Sequence, residues 1–521
     1  MLFNSYTFIA IFLPIVLSGF YLINQRSRPG ALIWLSLASV FFYGHWNPYA
    51  LPVLLFSVCF NFLMGKRLLF DGVHYRGRLL MIAITVNLLI LGYFKYTNFL
   101  IENINFIMSL LSLSGFQASD IELPIGISFF TFTQIVYLLD VYQGKTKEGS
   151  FRDYFLFVTF FPQLIAGPFL HHKAFIPQLS GGTENHFKYD AFFLGMFLFS
   201  IGLAKKILIA DPLGEYADVL FDNVYTGEFN PLFFASWFGS LAYTFQIYFD
   251  FSGYSDMALG LGLLFGIRLP INFNSPYKAV SIIDFWQRWH MTLTSYIGQY
   301  LYTPLTLWFM RIFHGGSKAA DWLGSVFLPN ILVFFIIGIW HGASYTFVVW
   351  GLIHGVYLVV NHLWRTVKPD FWFFTLARFD HLRKCFSWML TFGAVNLAFV
   401  MFRSRDLATA KEIYLGLLGV NGVSLPPPLS TYFDFNVPLI HWLQIDGGTS
   451  LAYIASLFIA FVLVLVPPNA SRLINLLGQD NNSQLKTWLY GSYTRAIFLG
   501  VIFSLSLIGL NKIQTFLYFQ F

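Results

Sequence analysis

Three histidines set in apolar sequence are the residues of this chain with the most chemistry to offer. The chain has 12 histidines, and most, such as His171, His172, His186 and His381, lie in loop-like stretches. His290, His341 and His354 do not. His341 sits in NILVFFIIGIWHGASYTFVVWGLIHGV, between two apolar runs that are each long enough for a membrane crossing or nearly so. An ionisable group at membrane depth is expensive and reads as functional by default. Gly338, Gly342 and Ala343 around it permit close approach of a helix or a substrate. The plainer reading is a short loop in which the imidazole satisfies a helix end. His290 belongs to SIIDFWQRWHMTLTSYIGQYLYT, residues 281–303, where a histidine bonded to a backbone carbonyl is the plainer reading. His354 follows His341 by 13 residues, which at about 100° per residue turns it off the same face, so it reads as structural.

Other polar groups need accounting. Asp256 lies in FSGYSDMALGLGLLFGI, and a buried carboxylate needs a partner. It either orients a polar network or caps a helix together with Ser255. Lys205 and Lys206 precede Asp211 and either attract an anionic donor or anchor a helix end. No HExxH, CxxC or paired His–carboxylate spacing suggests a metal site, and no P-loop, GxSxG elbow or GxGxxG fingerprint is present. The two cysteines, Cys59 and Cys385, read as small packing residues, not as a disulfide framework.

The elements that must position these groups follow from composition. Of 521 residues, 57% are hydrophobic and 11% charged, less than half the roughly 25% charged residues of a soluble globular chain. Aromatic residues make up 20%, which excludes disorder. The chain reads as an all-α polytopic membrane protein with roughly 11 to 13 crossings by the length rule. Period-2 alternation of the barrel type is absent.

The net charge of +6 is no nucleic-acid footprint, because its basic residues cluster between apolar runs. The groups Lys66–Arg78 and Arg365–Lys384 are expected on the cytoplasmic side. Asn421–Ser450, without Lys or Arg, is expected outside. The first apolar run reads as a retained span with Met1 outside, since Arg26 and Arg28 follow it.

Residues 1–521 read as a single membrane-embedded domain without a half-to-half repeat, which weighs against a transporter. Asn47–Pro48 divides residues 32–43 from 51–63. Pro162, Gly167, Pro168 and Pro177 break residues 160–179, and RLPINFNSPY breaks residues 268–277. Irregular backbone at membrane depth must be buried in protein or line a wet cavity, although each break alone could be an interfacial loop. Residues 281–303 read as one helix with a polar flank. Asp284 and Arg288 stand at ion-pair spacing, and Trp286, His290 and Thr294 form a stripe.

The order of longer motifs adds a resemblance. FFYGHWNP (41–48), LPIGISFFTF (123–132), FPQLIAGP (161–168), GLAKKILIAD (202–211), QIYFDFSGYSDMALGLG (246–262) and FNSPY (273–277) run in sequence. They are followed by DFWQRWHMTL (284–293), GIWHGASYTFVVWGLIHG (338–355) and LAFVMFRS (397–404). Together they resemble the membrane-bound O-acyltransferase superfamily, in its bacterial alginate O-acetyltransferase-like branch.

The resemblance implies a ring of transmembrane helices around a funnel, with interfacial and re-entrant helices. It makes His341 the catalytic residue and His290 a second required residue. Asp256, Asn272, Asn274, Trp286, Arg288 and Trp340 are the expected substrate-binding residues. It further implies an acetyl group taken from a cytoplasmic donor, acetyl-CoA, with no other cofactor and no metal. The final acceptor would be an extracytoplasmic polysaccharide such as alginate, reached through an exported acetyltransferase partner. The setting would be the lipid of a bacterial inner membrane. Two features depart from the branch: Gln287 stands where a second Arg is usual, and residues 304–318 replace a glycine-rich basic continuation. D-alanyl transfer to teichoic acid, and a transporter without covalent chemistry, are the alternatives.

Overall fold

The computed structural model describes residues 1–70, 75–119, 121–146, 149–179, 189–367, 380–423, 450–466, 469–470, 493–510 and 515–517. The described residues hold helices and no strand. Among the described residues, seven helical runs are long and apolar enough to cross a membrane: Thr7–Asn24, Pro48–Leu69, Arg76–Leu110, Tyr189–Thr226, Lys318–His341, Tyr345–Val367 and Asp380–Arg403. Three shorter apolar helices, Ile127–Tyr142, Ile454–Leu465 and Ile497–Gly509, fall below the length that the rule of roughly 11 to 13 crossings assumes. The chain is an all-α polytopic membrane protein. Much of Asn421–Ser450, the centre of Arg365–Lys384 and residues 71–74 lie outside the described residues.

The expected breaks fall where proline and capping side chains put them. The Arg28–Trp46 helix starts on Ser27, whose side chain accepts from Gly30 N–H. It stops at Asn47, whose Oδ1 accepts from the N–H groups of Tyr49 and Ala50 at 2.9 and 3.2 Å, and the Leu51–Leu69 helix follows. Residues 160–179 form two short helices, Phe161–Leu164 and His172–Leu179, separated by irregular backbone. Residues 268–275 are irregular, ahead of a single 3-10 turn, Pro276–Lys278.

Two compact units emerge. The first comprises residues 1–204, 253–271 and 481–521; the second comprises 205–252 and 272–480. The interior of the first is tied by a fully paired amide network. Asn61 and Asn87 exchange side-chain hydrogen bonds at 3.0 and 2.7 Å. Gln134 donates to Ser57 Oγ at 2.8 Å and accepts from Tyr154 Oη at 3.1 Å. Such bonds hold helices together where lipid offers no hydrophobic drive between them.

Two sequence expectations are corrected here. Lys206 does not anchor a helix end: it lies in a π-helical turn, Lys205–Ala210, within a longer helical run. Its side chain is 2% exposed and pairs with Asp250 at 2.6 Å and Asp211 at 2.7 Å, all in the second unit. A buried ammonium is held only where carboxylates compensate its lost hydration. Cys59 and Cys385 are unbridged as expected, but both are exposed and not packed inside.

Candidate active site

His290, His341, Asn272, Asn274, Trp286, Arg288 and Trp340 all belong to the second unit. Asp256 belongs to the first, where it is buried well inside the Phe233–Leu264 helix. The helix-cap reading of Asp256 is therefore wrong, since a cap must stand at the first residue.

The irregular stretch after residue 271 positions His290. Met291 N–H donates to the Asn272 carbonyl at 2.8 Å, and Asn274 N–H to the Arg288 carbonyl at 2.9 Å, so the two stretches run side by side. Asn272 Oδ1 accepts from Thr292 Oγ1 at 2.9 Å and from Thr292 N–H at 3.4 Å. That backbone donor fixes the oxygen, and His290 Nδ1, 3.0 Å from the same oxygen, must therefore donate. The proton of neutral His290 sits on Nδ1, and Nε2 is left as a lone-pair acceptor, the form a base requires. The ring is 1% exposed and edge-on to Phe251, with centroids 4.8 Å apart.

The single helix expected over residues 281–303 is not formed. A short helix, Ile282–Trp286, ends in a turn, and His290 itself has left-handed backbone (φ 45°) before Met291–Ile297 resumes. A non-glycine residue there carries strain that concentrates at functional sites. The stripe of Trp286, His290 and Thr294 does not survive this break. The Asp284–Arg288 pair does, at 2.7 Å, and Arg288 also reaches the Asn274 carbonyl at 3.4 Å. Asn274 Oδ1 in turn accepts from Asn469 at 2.7 Å.

His341 is the last residue of the Leu328–His341 helix, 4% exposed, so it is both a helix end and a buried imidazole. Glycines let this helix approach the Tyr345–Val367 helix. A Cβ on Gly351 would lie 2.2 Å from the Phe334 carbonyl oxygen, and one on Gly338 2.4 Å from that of Phe347. No side chain fits either place. The close hairpin encloses His341 in aromatic rings: Trp340 at 5.0 Å, Trp350 at 5.0 Å and Phe402 at 5.2 Å between centroids.

His354 is nearer this cluster than its spacing suggested. The 100° rule assumes one continuous helix, whereas residues 342–344 interrupt it. Trp350 touches both rings, with His354 at 4.9 Å. Trp286 Nε1–H donates to His354 Nδ1 at 3.2 Å. Further rings run from His290 to His341: Phe251 meets Phe273 at 5.0 Å, Phe273 meets Trp289 at 5.1 Å, and Trp289 meets Phe399 at 5.5 Å. Phe399 meets Phe402 at 6.3 Å. Aromatic walls of this kind exclude water, which would compete for an activated acyl group.

Buried imidazoles among aromatic rings, in a polytopic helical chain, are the groups this unit offers for proton transfer away from water. Residues 32–404 match the model of the MBOAT, membrane-bound O-acyltransferase family. The chain belongs to that family, and it is an acyltransferase. It is 41% identical over 453 residues to a peptidoglycan O-acetyltransferase of Helicobacter pylori, covering 82% of this chain and 81% of the relative. It is 37% identical over 425 residues to the probable alginate O-acetylase AlgI of Pseudomonas aeruginosa, covering 80% and 74%. A teichoic acid D-alanyltransferase of Streptococcus thermophilus is 29% identical over 297 residues, covering 53% and 68%.

Proposed function

We propose that this chain is a membrane O-acetyltransferase that serves the O-acetylation of a cell-envelope glycan, with residues 1–521 acting as one acyltransferase domain in a bacterial inner membrane. The observation that carries the reading is the pair of buried imidazoles, His290 and His341, in one compact unit of a chain from an acyltransferase family. A hydroxyl is a poor nucleophile near neutral pH, and an imidazole of unperturbed pKa about 6.5 is suited to take its proton. His341 takes the proton of the attacking hydroxyl as its oxygen adds to the acyl carbonyl carbon. Collapse of the adduct expels the donor's thiolate, which leaves as a thiol with that proton. His290, its Nε2 an acceptor, orients a hydroxyl or assists the same transfer.

Acetyl-CoA is the donor in this reading and no other cofactor takes part. Asn272 holds the His290 ring in place and Trp286 the His354 ring. Asn274, Arg288 and Trp340 line the substrate path. An exported acetyltransferase partner carries the acetyl group on to the polymer, for which alginate and peptidoglycan are the candidates that the relatives supply. Ester analysis of the envelope polymers from cells with and without the chain tests this. Loss of acetyl esters is expected; loss of D-alanyl esters instead would transfer the reading to the teichoic-acid branch.

A further inference from the structure

The pairing around His354 leaves two buried donors without acceptors. Trp286 Nε1–H can only donate, so His354 Nδ1, 3.2 Å away, can only accept. The proton of His354 is therefore on Nε2. That atom is buried in a residue 1% exposed and has no hydrogen-bond partner among the described residues. The same holds for Trp350 Nε1, in a residue 2% exposed. The two rings are four residues apart on one helix, 4.9 Å between centroids, and Trp350 meets His341 edge-on at 5.0 Å. A buried unpaired donor ordinarily costs stability, and native chains retain few of them. Two side by side, next to the residue assigned as the base, ask for an oxygen.

We propose that Trp350 Nε1–H and His354 Nε2–H hold the carbonyl oxygen of the acyl group during transfer. This rests on the acyl-transfer reading above. As the hydroxyl oxygen bonds to the carbonyl carbon and its proton passes to His341, the carbonyl π pair moves onto this oxygen. The two N–H groups meet the negative charge there. When the C=O bond re-forms, the carbon–sulfur bond breaks and the thiolate takes the proton from His341. In a water-excluded site such donors act at full strength and need no reorganisation. Trp286 is then a positioning residue, because its N–H sets the tautomer that makes His354 a donor.

The test uses the purified full chain with its exported acetyltransferase partner, acetyl-CoA and an oligosaccharide of the acylated polymer, reading thiol release, donor KM and the amount of folded protein. Trp350 is replaced by 3-benzothienylalanine, which keeps the bicyclic ring and exchanges the N–H for sulfur. Trp350→Phe serves as the genetically simple second variant. Because the lost N–H has no partner in the resting protein, folded protein and donor KM are expected unchanged in the first variant, while kcat falls about 10²–10³-fold. His354→Gln, which keeps an acceptor for Trp286 and a donor, is expected to retain more turnover than His354→Leu. Full kcat in the benzothienyl variant, while His341→Ala is inactive, overturns this inference alone. Full turnover in His341→Ala overturns the acyl-transfer reading, and this inference with it.

Discussion

The amide network of the first unit and the histidine cluster of the second are both buried polar regions among apolar helices, yet they are built to opposite rules. Around Asn61, Asn87 and Gln134 every side-chain donor and acceptor is matched, and the Asn61–Asn87 pair is reciprocal. Around His354 and Trp350, donors are left over among the described residues. A network with all its partners has nothing to give a substrate, so its value is stability. A site with unspent donors gives up stability to interact with something that arrives. The difference separates glue from machinery without reference to which residue types are involved.

Several experiments would break or sharpen that contrast. After His341, the largest effect is expected at His290. His290→Ala removes one of the hydrogen bonds to Asn272 Oδ1, which still accepts from Thr292. Acetyl transfer per folded molecule is expected to fall about 10²–10⁴-fold with little change in protein level. Near-normal transfer would place His290 with the structural group. Asn272→Leu strands the Thr292 donors and frees the His290 ring. A fall in kcat larger than the rise in donor KM is expected, and activity assays across donor concentration check it.

The amide network should answer in the other currency. Asn61→Leu leaves Asn87 Oδ1 buried without its donor, while Nδ2 keeps its bond to the Ala83 carbonyl, and a stranded buried acceptor costs about 1–3 kcal/mol. The expected outcome is a lower thermal midpoint in detergent with unchanged turnover per folded molecule. Replacing both Asn61 and Asn87 by Leu is expected to regain much of that loss, since no polar group is then stranded. A turnover defect that persists in the double variant would show that the network serves the chemistry. The smallest effect is expected at Arg288, whose side chain is 32% exposed in its pair with Asp284. An exposed pair at this helical spacing contributes about 0.3–0.5 kcal/mol. Arg288→Ala is expected to lose about that much stability and to raise donor KM modestly from its place on the substrate path; a stability loss far above that value would mark Arg288 as a structural anchor instead.

The sequence was most legible where local chemistry decides the outcome. Asn47–Pro48 ended regular helix, Pro162, Gly167 and Pro168 kept residues 160–179 from forming one helix, and RLPINFNSPY stayed irregular up to a single 3-10 turn, whereas Pro177 sits inside the His172–Leu179 helix. The Asp284–Arg288 spacing made the pair it promised. What was hidden depends on tertiary partners. A histidine with positive φ is held by the stretch at Asn272, and no periodicity announces it. The nearness of His354 to His341 depends on the close hairpin that Gly338 and Gly351 permit. Lys206 looked like a membrane-edge lysine because its carboxylate partner Asp250 lies 44 residues away. Asn61 is the one asparagine of the Leu51–Leu69 helix, but Asn87 is one of four in Arg76–Leu110, so sequence alone does not single out the pair that meets across helices.

The central claim, that His341 is the base of acyl transfer, is tested most directly by measuring folded His341→Ala protein and polymer acetyl ester together in the same cells. The account predicts near-normal protein with acetyl ester almost wholly absent. Normal protein with a fully acetylated polymer would contradict it.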